Sequence, residues 1–111
     1  FYAACFEPAL MDHAFQRAAL DPATSPYRDY DTVLETLVAQ LERGAYLLGE
    51  SLTAADLLWG TGLRWTTEFG IVPKLPAIMA YVERVSTHPA VIRAGELDAA
   101  LGEQMSPTVA A

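Results

Sequence analysis

The sequence predicts an all-α fold, a helical bundle of five to six helices. Three observations carry this. Apolar residues recur at three-four spacing along nearly the whole chain. No stretch alternates apolar and polar residues as a half-buried strand would. Gly44, Gly70, Pro73, Pro76 and Pro89 fall between the periodic segments, where helices stop and start. The 111 residues form one domain-sized chain. A chain of this mass would keep about 6,000 Å² of roughly 17,400 Å² of unfolded surface, enough to build a core without metal or disulfide staples.

In the first segment Leu10, Met11, Ala14, Phe15 and Ala18 share one helical face, and Pro8 marks a kink or a new start. Leu20 to Asp29, with Pro22, Ser25 and Pro26, reads as a loop. Tyr30, Val33, Leu34, Leu37, Val38 and Leu41 predict a helix from Tyr30 to Arg43, with Gly44 as its stop. It would be roughly 21 Å long. Gly49 and Glu50 form a turn, and a third helix runs from near Thr53 to about Phe69. Leu57, Leu58, Trp59, Leu63, Trp65 and Phe69 surround that helix on several sides, the pattern of a central helix. Gly70 and Pro73 break the chain, and Pro76 opens a helix carrying Ile78, Val82 and Val85. Ser86 to His88 end it. Pro89 then opens a short helix through Arg93, Glu96 to Leu101 add a last turn or two, and residues 102–111 read as a loose tail.

The sharpest local signal is Leu52-Thr53-Ala54-Ala55-Asp56-Leu57. Thr53 and Asp56 are spaced as a capping box, with Asp in place of Glu or Gln, and Leu52 and Leu57 stand at the staple positions. The competing reading of Asp56 is a catalytic acid or base. The cap reading fits every neighbour, and it predicts that Asp56→Ala costs about 1–2 kcal/mol, more if the carboxylate is buried.

Composition excludes several classes of function. Seven basic against fourteen acidic residues, net charge −7, disfavour a nucleic-acid surface. No apolar run approaches the length of a bilayer span. The single cysteine, Cys5, forms no intrachain disulfide and fits a reducing, cytoplasmic compartment. Its apolar neighbours favour a packed thiol over a reactive one. His13 and His88 have no metal-ligand spacing and read as surface or capping residues. Gly60-Thr61-Gly62 lies inside a helix and is not a phosphate loop; close helix approach is its ordinary explanation. Gly49-Glu50-Ser51 lacks the strand-turn-helix context of a serine nucleophile.

The string YLLGESLTAADLLWG at 46–60, then Gly62-Leu63-Arg64-Trp65, then PAIMAYVERVSTHPAVIRA at 76–94, resembles the C-terminal domain of glutathione S-transferases of bacterial type. His88 stands where that family carries Arg before Pro89 and Ala90. The resemblance implies a helical domain over 1–101, a tail over 102–111, and a thioredoxin-like domain upstream, which this chain, opening on Phe1, does not contain. That upstream half would bind glutathione, the co-substrate, and supply the Ser, Tyr or Cys that activates its thiol, so no catalytic residue is expected in this chain. The fragment alone is then expected to be inactive. No metal is implied.

By the same resemblance this chain would wall the pocket for a hydrophobic electrophile. Tyr2, Phe6 and Trp65 are the candidates, each with the competing reading of a core aromatic. Pro8 and Ala9 stand where certain bacterial members carry polar residues. The first two helices would contribute to a homodimer. The alternative function is a non-catalytic interaction module, as transferase-like helical domains form in translation factors and synthetases. A third reading keeps the thioredoxin half and changes the chemistry to isomerisation, dehalogenation or disulfide reduction. If the upstream half is missing, the first and central helices should expose apolar surface.

Overall fold

The structure, a computed structural model, describes residues 1–106. A π-helical turn over Tyr2–Phe6 leads directly into α1 (Glu7–Ala14). Then follow α2 (Tyr30–Leu41), α3 (Ala54–Glu68), α4 (Pro76–Ser86) and α5 (Pro89–Met105). The fold is all-helical, with no strand among the described residues beyond an isolated bridge between Tyr46 and Gly49.

Pro8 shapes the start of the chain. Proline has no N–H to donate, so the backbone bonds just before it shift register. Phe6 N–H reaches back five residues to the Phe1 carbonyl at 3.0 Å, and Glu7 N–H to Tyr2. The Phe1 carbonyl also accepts the i−4 bond from Cys5 N–H at 2.9 Å, so the turn mixes the two spacings before α1. α1 stops earlier than the apolar spacing predicts, at Ala14 rather than near Ala18. Gln16 adopts a left-handed conformation, φ +52°, while its N–H bonds His13 and the Arg17 N–H bonds Asp12. This is a Schellman ending built on a residue other than glycine. α3 ends on the same motif with Gly70 (φ +72°) in the left-handed position.

α2 begins where expected. Asp29 caps it, its carboxylate accepting from Thr32 N–H at 2.7 Å. It ends one turn short of Gly44, which does not act as a left-handed stop. A Cβ there would stand 3.3 Å from the Gly49 carbonyl oxygen, so Gly44 lets the two sides of the following turn approach.

The core joins Phe6, Ala9 and Leu10 with Val33, Leu37 and Leu41 of α2, Trp59 and Leu63 of α3, and Ile78, Tyr81, Val82 and Val85 of α4. α3 buries a single stripe, Asp56, Trp59, Gly60, Leu63 and Thr67, against α4. Here the reading of α3 as enclosed on most sides needs correction. Leu57, Leu58, Trp65 and Phe69 are exposed on its outer side. Phe1, Met11 and Phe15 are exposed near the first helix. The apolar surface expected on these two helices is therefore present.

The last segment also differs from expectation. α5 is one continuous helix through Met105, not a short helix ending at Arg93 with a tail from residue 102. Gly95 and Gly102 stand at the two expected breaks, but Ala, Leu, Glu and Gln fill most other positions and favour helix. His88 caps it, Nδ1 accepting from Ala90 N–H at 3.2 Å. Residues 107–111 of the expected tail lie outside the described residues. α5 buries none of its residues. The radius of gyration, 16.8 Å, accordingly exceeds the about 13 Å of a compact domain of this length.

Candidate functional site

Two features could carry function: the outer face of α3 and the carboxylate at its start. On the outer face a groove of about 440 Å³ is lined by Tyr2, Leu57, Leu58, Thr61, Gly62, Trp65 and Thr66. Leu58, Gly62, Trp65 and Phe69 recur at three-four spacing, which aligns them along one side of the helix. Trp65 is 62% exposed. No charged side chain lines the groove, whose surface is apolar side chains and hydroxyls. Thr66 spends its hydroxyl on the Gly62 carbonyl at 2.8 Å.

Tyr2 is held in place from below. Its ring meets Trp59 edge-on, with centroids 4.7 Å apart, and Phe6 packs on the same indole at 4.8 Å. Its other support is a space. A Cβ at Gly62 would collide with the Tyr2 ring and hydroxyl, so Gly62 lets the phenol lie against α3. Burial, and then the nearby Glu7 carboxylate, raise the Tyr2 pKa, so the phenol stays neutral and offers an O–H donor.

At the start of α3 the capping box is closed from both sides. Thr53 N–H donates to Asp56 Oδ2 at 2.8 Å. The Asp56 N–H faces the Thr53 side chain and bonds the Thr53 carbonyl at 3.0 Å. Asp56 does more than cap. Its Oδ1 accepts from Leu47 N–H at 3.0 Å and from the Tyr81 hydroxyl at 2.8 Å. The residue is fully buried, 0% exposed. Burial pushes its carboxyl up, but the bonds from Leu47, Thr53 and Tyr81 outweigh it and hold the pKa below the usual carboxylate range. Tyr81 moves the opposite way, raised by burial and by its bond to Asp56. With both oxygens committed and no solvent access, Asp56 is placed as a structural pin rather than a general base.

The family model for the glutathione S-transferase C-terminal domain matches residues 9–89. The chain belongs to that family. Searches of curated proteins and of solved structures returned no match.

Within this glutathione S-transferase C-terminal domain the candidate aromatics divide. Tyr2 and Trp65 meet at the groove. Phe6 does not: it is 1% exposed and sits behind Tyr2 in the core, because the π-helical turn directs it toward Trp59 and α2. Leu57, placed by sequence in the staple beside Leu52, is 43% exposed and lines the groove. Thr61 and Leu58 were not singled out as groove residues. Their signal was present in the sequence as the three-four repeat through Trp65. Cys5 is half-buried, its Sγ 3.9 Å from the Pro26 carbonyl oxygen. No group of three or more His, Cys, Asp or Glu side chains is arranged to hold a metal ion among the described residues. No helix among them is long and apolar enough to cross a membrane.

Proposed function

We propose that this domain is the helical half of a glutathione S-transferase and that its α3 groove receives the hydrophobic electrophile. The observation that carries the reading is the uncharged groove between Tyr2 and Trp65 on an otherwise uncovered apolar helix face. A flat apolar electrophile gains contact area on the indole and the leucines. The Tyr2 hydroxyl donates to a polar substituent at the rim. The groove holds no nucleophile or general base of its own, so a thioredoxin-like domain upstream would bind glutathione and activate its thiol. The same reading makes the assembled protein a cytoplasmic homodimer acting in detoxification in a bacterium.

The test is glutathione conjugation of a chlorinated dinitrobenzene by the full-length protein. Trp65→Ala should raise KM for the electrophile about tenfold while leaving KM for glutathione unchanged, since loss of half the ring contact is worth on the order of 1.4 kcal/mol. Absence of glutathione-dependent turnover with several electrophiles would favour the interaction-module reading. A Trp65→Ala enzyme with unchanged electrophile KM would remove the groove from the mechanism.

A further inference from the structure

α5 stands clear of the rest of the described molecule. None of its 17 residues is buried, and Val91, in its first turn, is the one that packs against the core. Ala90, Ala94, Leu97, Leu101 and Gln104 follow one another at spacings of four, three, four and three residues. That is the interval at which one helix lays a seam along another. Leu97 and Leu101, in the middle of the seam, are each 53% exposed. Val91 is displaced from Ala90 by about 100° around the helix axis. The body of the domain therefore sits beside the seam and leaves it open.

The charges beside the seam are self-complementary in one orientation. Arg93, the one basic residue of α5, flanks the seam on one side and Asp98 flanks it on the other. In two parallel helices in register, a flanking residue faces the residue five positions later on the second copy. Arg93 then meets the second copy's Asp98, twice by symmetry, and Ala100 meets the second copy's Met105. Antiparallel pairing would instead set Arg93 toward Arg93 and Asp98 toward Asp98. Within one chain Arg93 is engaged by Glu96 at 3.3 Å, with both side chains well exposed. Such a pair is weak and exchanges readily. An isolated helix of this length is marginal in water, and Gly95 and Gly102 each cost about 1 kcal/mol against Ala. Burial of the seam supplies the tertiary support that the last turns otherwise lack.

We infer that α5 is a docking surface for a second copy of this chain, the two helices lying parallel with Leu97 and Leu101 at their seam. A two-fold axis along the pair places the two domain bodies on opposite sides of it, because each body lies beside its own seam. The surface is separate from the first two helices and shares no residue with the α3 groove. The seam is only about two heptads long, so the pairing is reversible and belongs with the small, transient interfaces.

The test is disulfide trapping in the full chain carrying Cys5→Ser, with each link located by peptide mass mapping. Leu101→Cys should form a linked dimer on mild oxidation, and Ala99→Cys, on the outer side of the helix, about tenfold less. Adding Asp98→Arg to Leu101→Cys should lower the yield about fivefold, and adding Arg93→Asp to both should restore it. All these positions are exposed, so the substitutions leave the core untouched. Equal yields at 99 and 101 would mean random collision. A link formed more readily between Leu97→Cys and Leu101→Cys chains than within either would mean an antiparallel pair. No link at all would mean that α5 does not meet a second copy. Each of these outcomes overturns the proposal, as does a charge-exchanged variant that stays unlinked. None of them depends on conjugation activity.

Discussion

Asp56→Ala is expected to destabilise the domain by about 3–5 kcal/mol. Three donors lose their acceptor at once: Leu47 N–H, Thr53 N–H and the Tyr81 hydroxyl. Each buried donor left unpaired costs about 1–3 kcal/mol, and the lost carboxylate at the helix N-terminus adds about 0.3–1 kcal/mol. Water entering the vacated space recovers part of the sum. A small domain holds only about 5–15 kcal/mol in total, so the variant should be partly unfolded at ambient temperature. The cap alone, as the sequence presents it, is worth about 1–2 kcal/mol. Urea denaturation separates the two values, and a loss below about 1 kcal/mol would reject the pin. Tyr81→Phe should cost less, since Asp56 keeps its backbone donors.

The same pair contributes at both ends of the pH range. Asp56 has a folded pKa below its unfolded value of about 3.9. Its contribution is therefore fully present above that value and is lost as pH falls through the folded pKa. Tyr81 has a folded pKa above its unfolded value of about 10. Its contribution is present below that value and declines as pH rises through the folded pKa. Stability measured from pH 2 upward should therefore climb more steeply in the parent than in Asp56→Asn, which lacks the Asp56 step and keeps those of Asp12 and Asp29.

Gly60→Ala gives the second large effect, and its sign decides between two principles. Helix propensity alone would make alanine better by about 1 kcal/mol. Packing opposes this. A Cβ at residue 60 would lie 2.5–2.9 Å from the three side-chain carbons of Val85, which is 1% exposed. Val85 is β-branched and stiff, so it cannot swing aside. Overpacking of this kind costs about 1–3 kcal/mol and occasionally more, and three contacts this short place it at the upper end. The net expectation is a loss of about 2 kcal/mol, or a fall of roughly 8–16 °C in Tm. Gly62→Ala supplies the contrast. There the collision is with the end of the Tyr2 side chain, which can rotate outward. Stability should stay within about 1 kcal/mol of the parent, by the same propensity gain, while the groove changes shape. A stabilised Gly60→Ala would show that α3 and α4 are not in close contact at that point.

These two glycines show how far sequence reading reaches. Separated only by Thr61 in the chain, they read as one local feature with one explanation, close helix approach. That explanation holds for Gly60 against α4. Gly62 instead makes room for a ring that arrives from sixty residues upstream. The stop signals divide in the same way. Gly70 announces the end of α3 because glycine enters the left-handed region freely. Gln16 ends α1 with the same geometry and gives no compositional sign. At α5 the signal misled in the other direction. Gly95 and Gly102 face open space, and the surrounding helix formers carry the helix through both.

The candidate site was legible in part for the same reason. The family resemblance offers Tyr2, Phe6 and Trp65 together, and residue type alone does not state that Tyr2 and Trp65 line one groove while Phe6 points into the core. The helices, the cap at Thr53 and Asp56 and the family itself were determined by the sequence, since each rests on residues three or four apart on one turn of helix or on their order along the chain. Tertiary packing alone decided which face of α3 stays open, that Phe6 turns inward, and that Asp56 ties a loop and a second helix to its own. Those outcomes depend on which surfaces meet across tens of residues, and no local periodicity contains that choice.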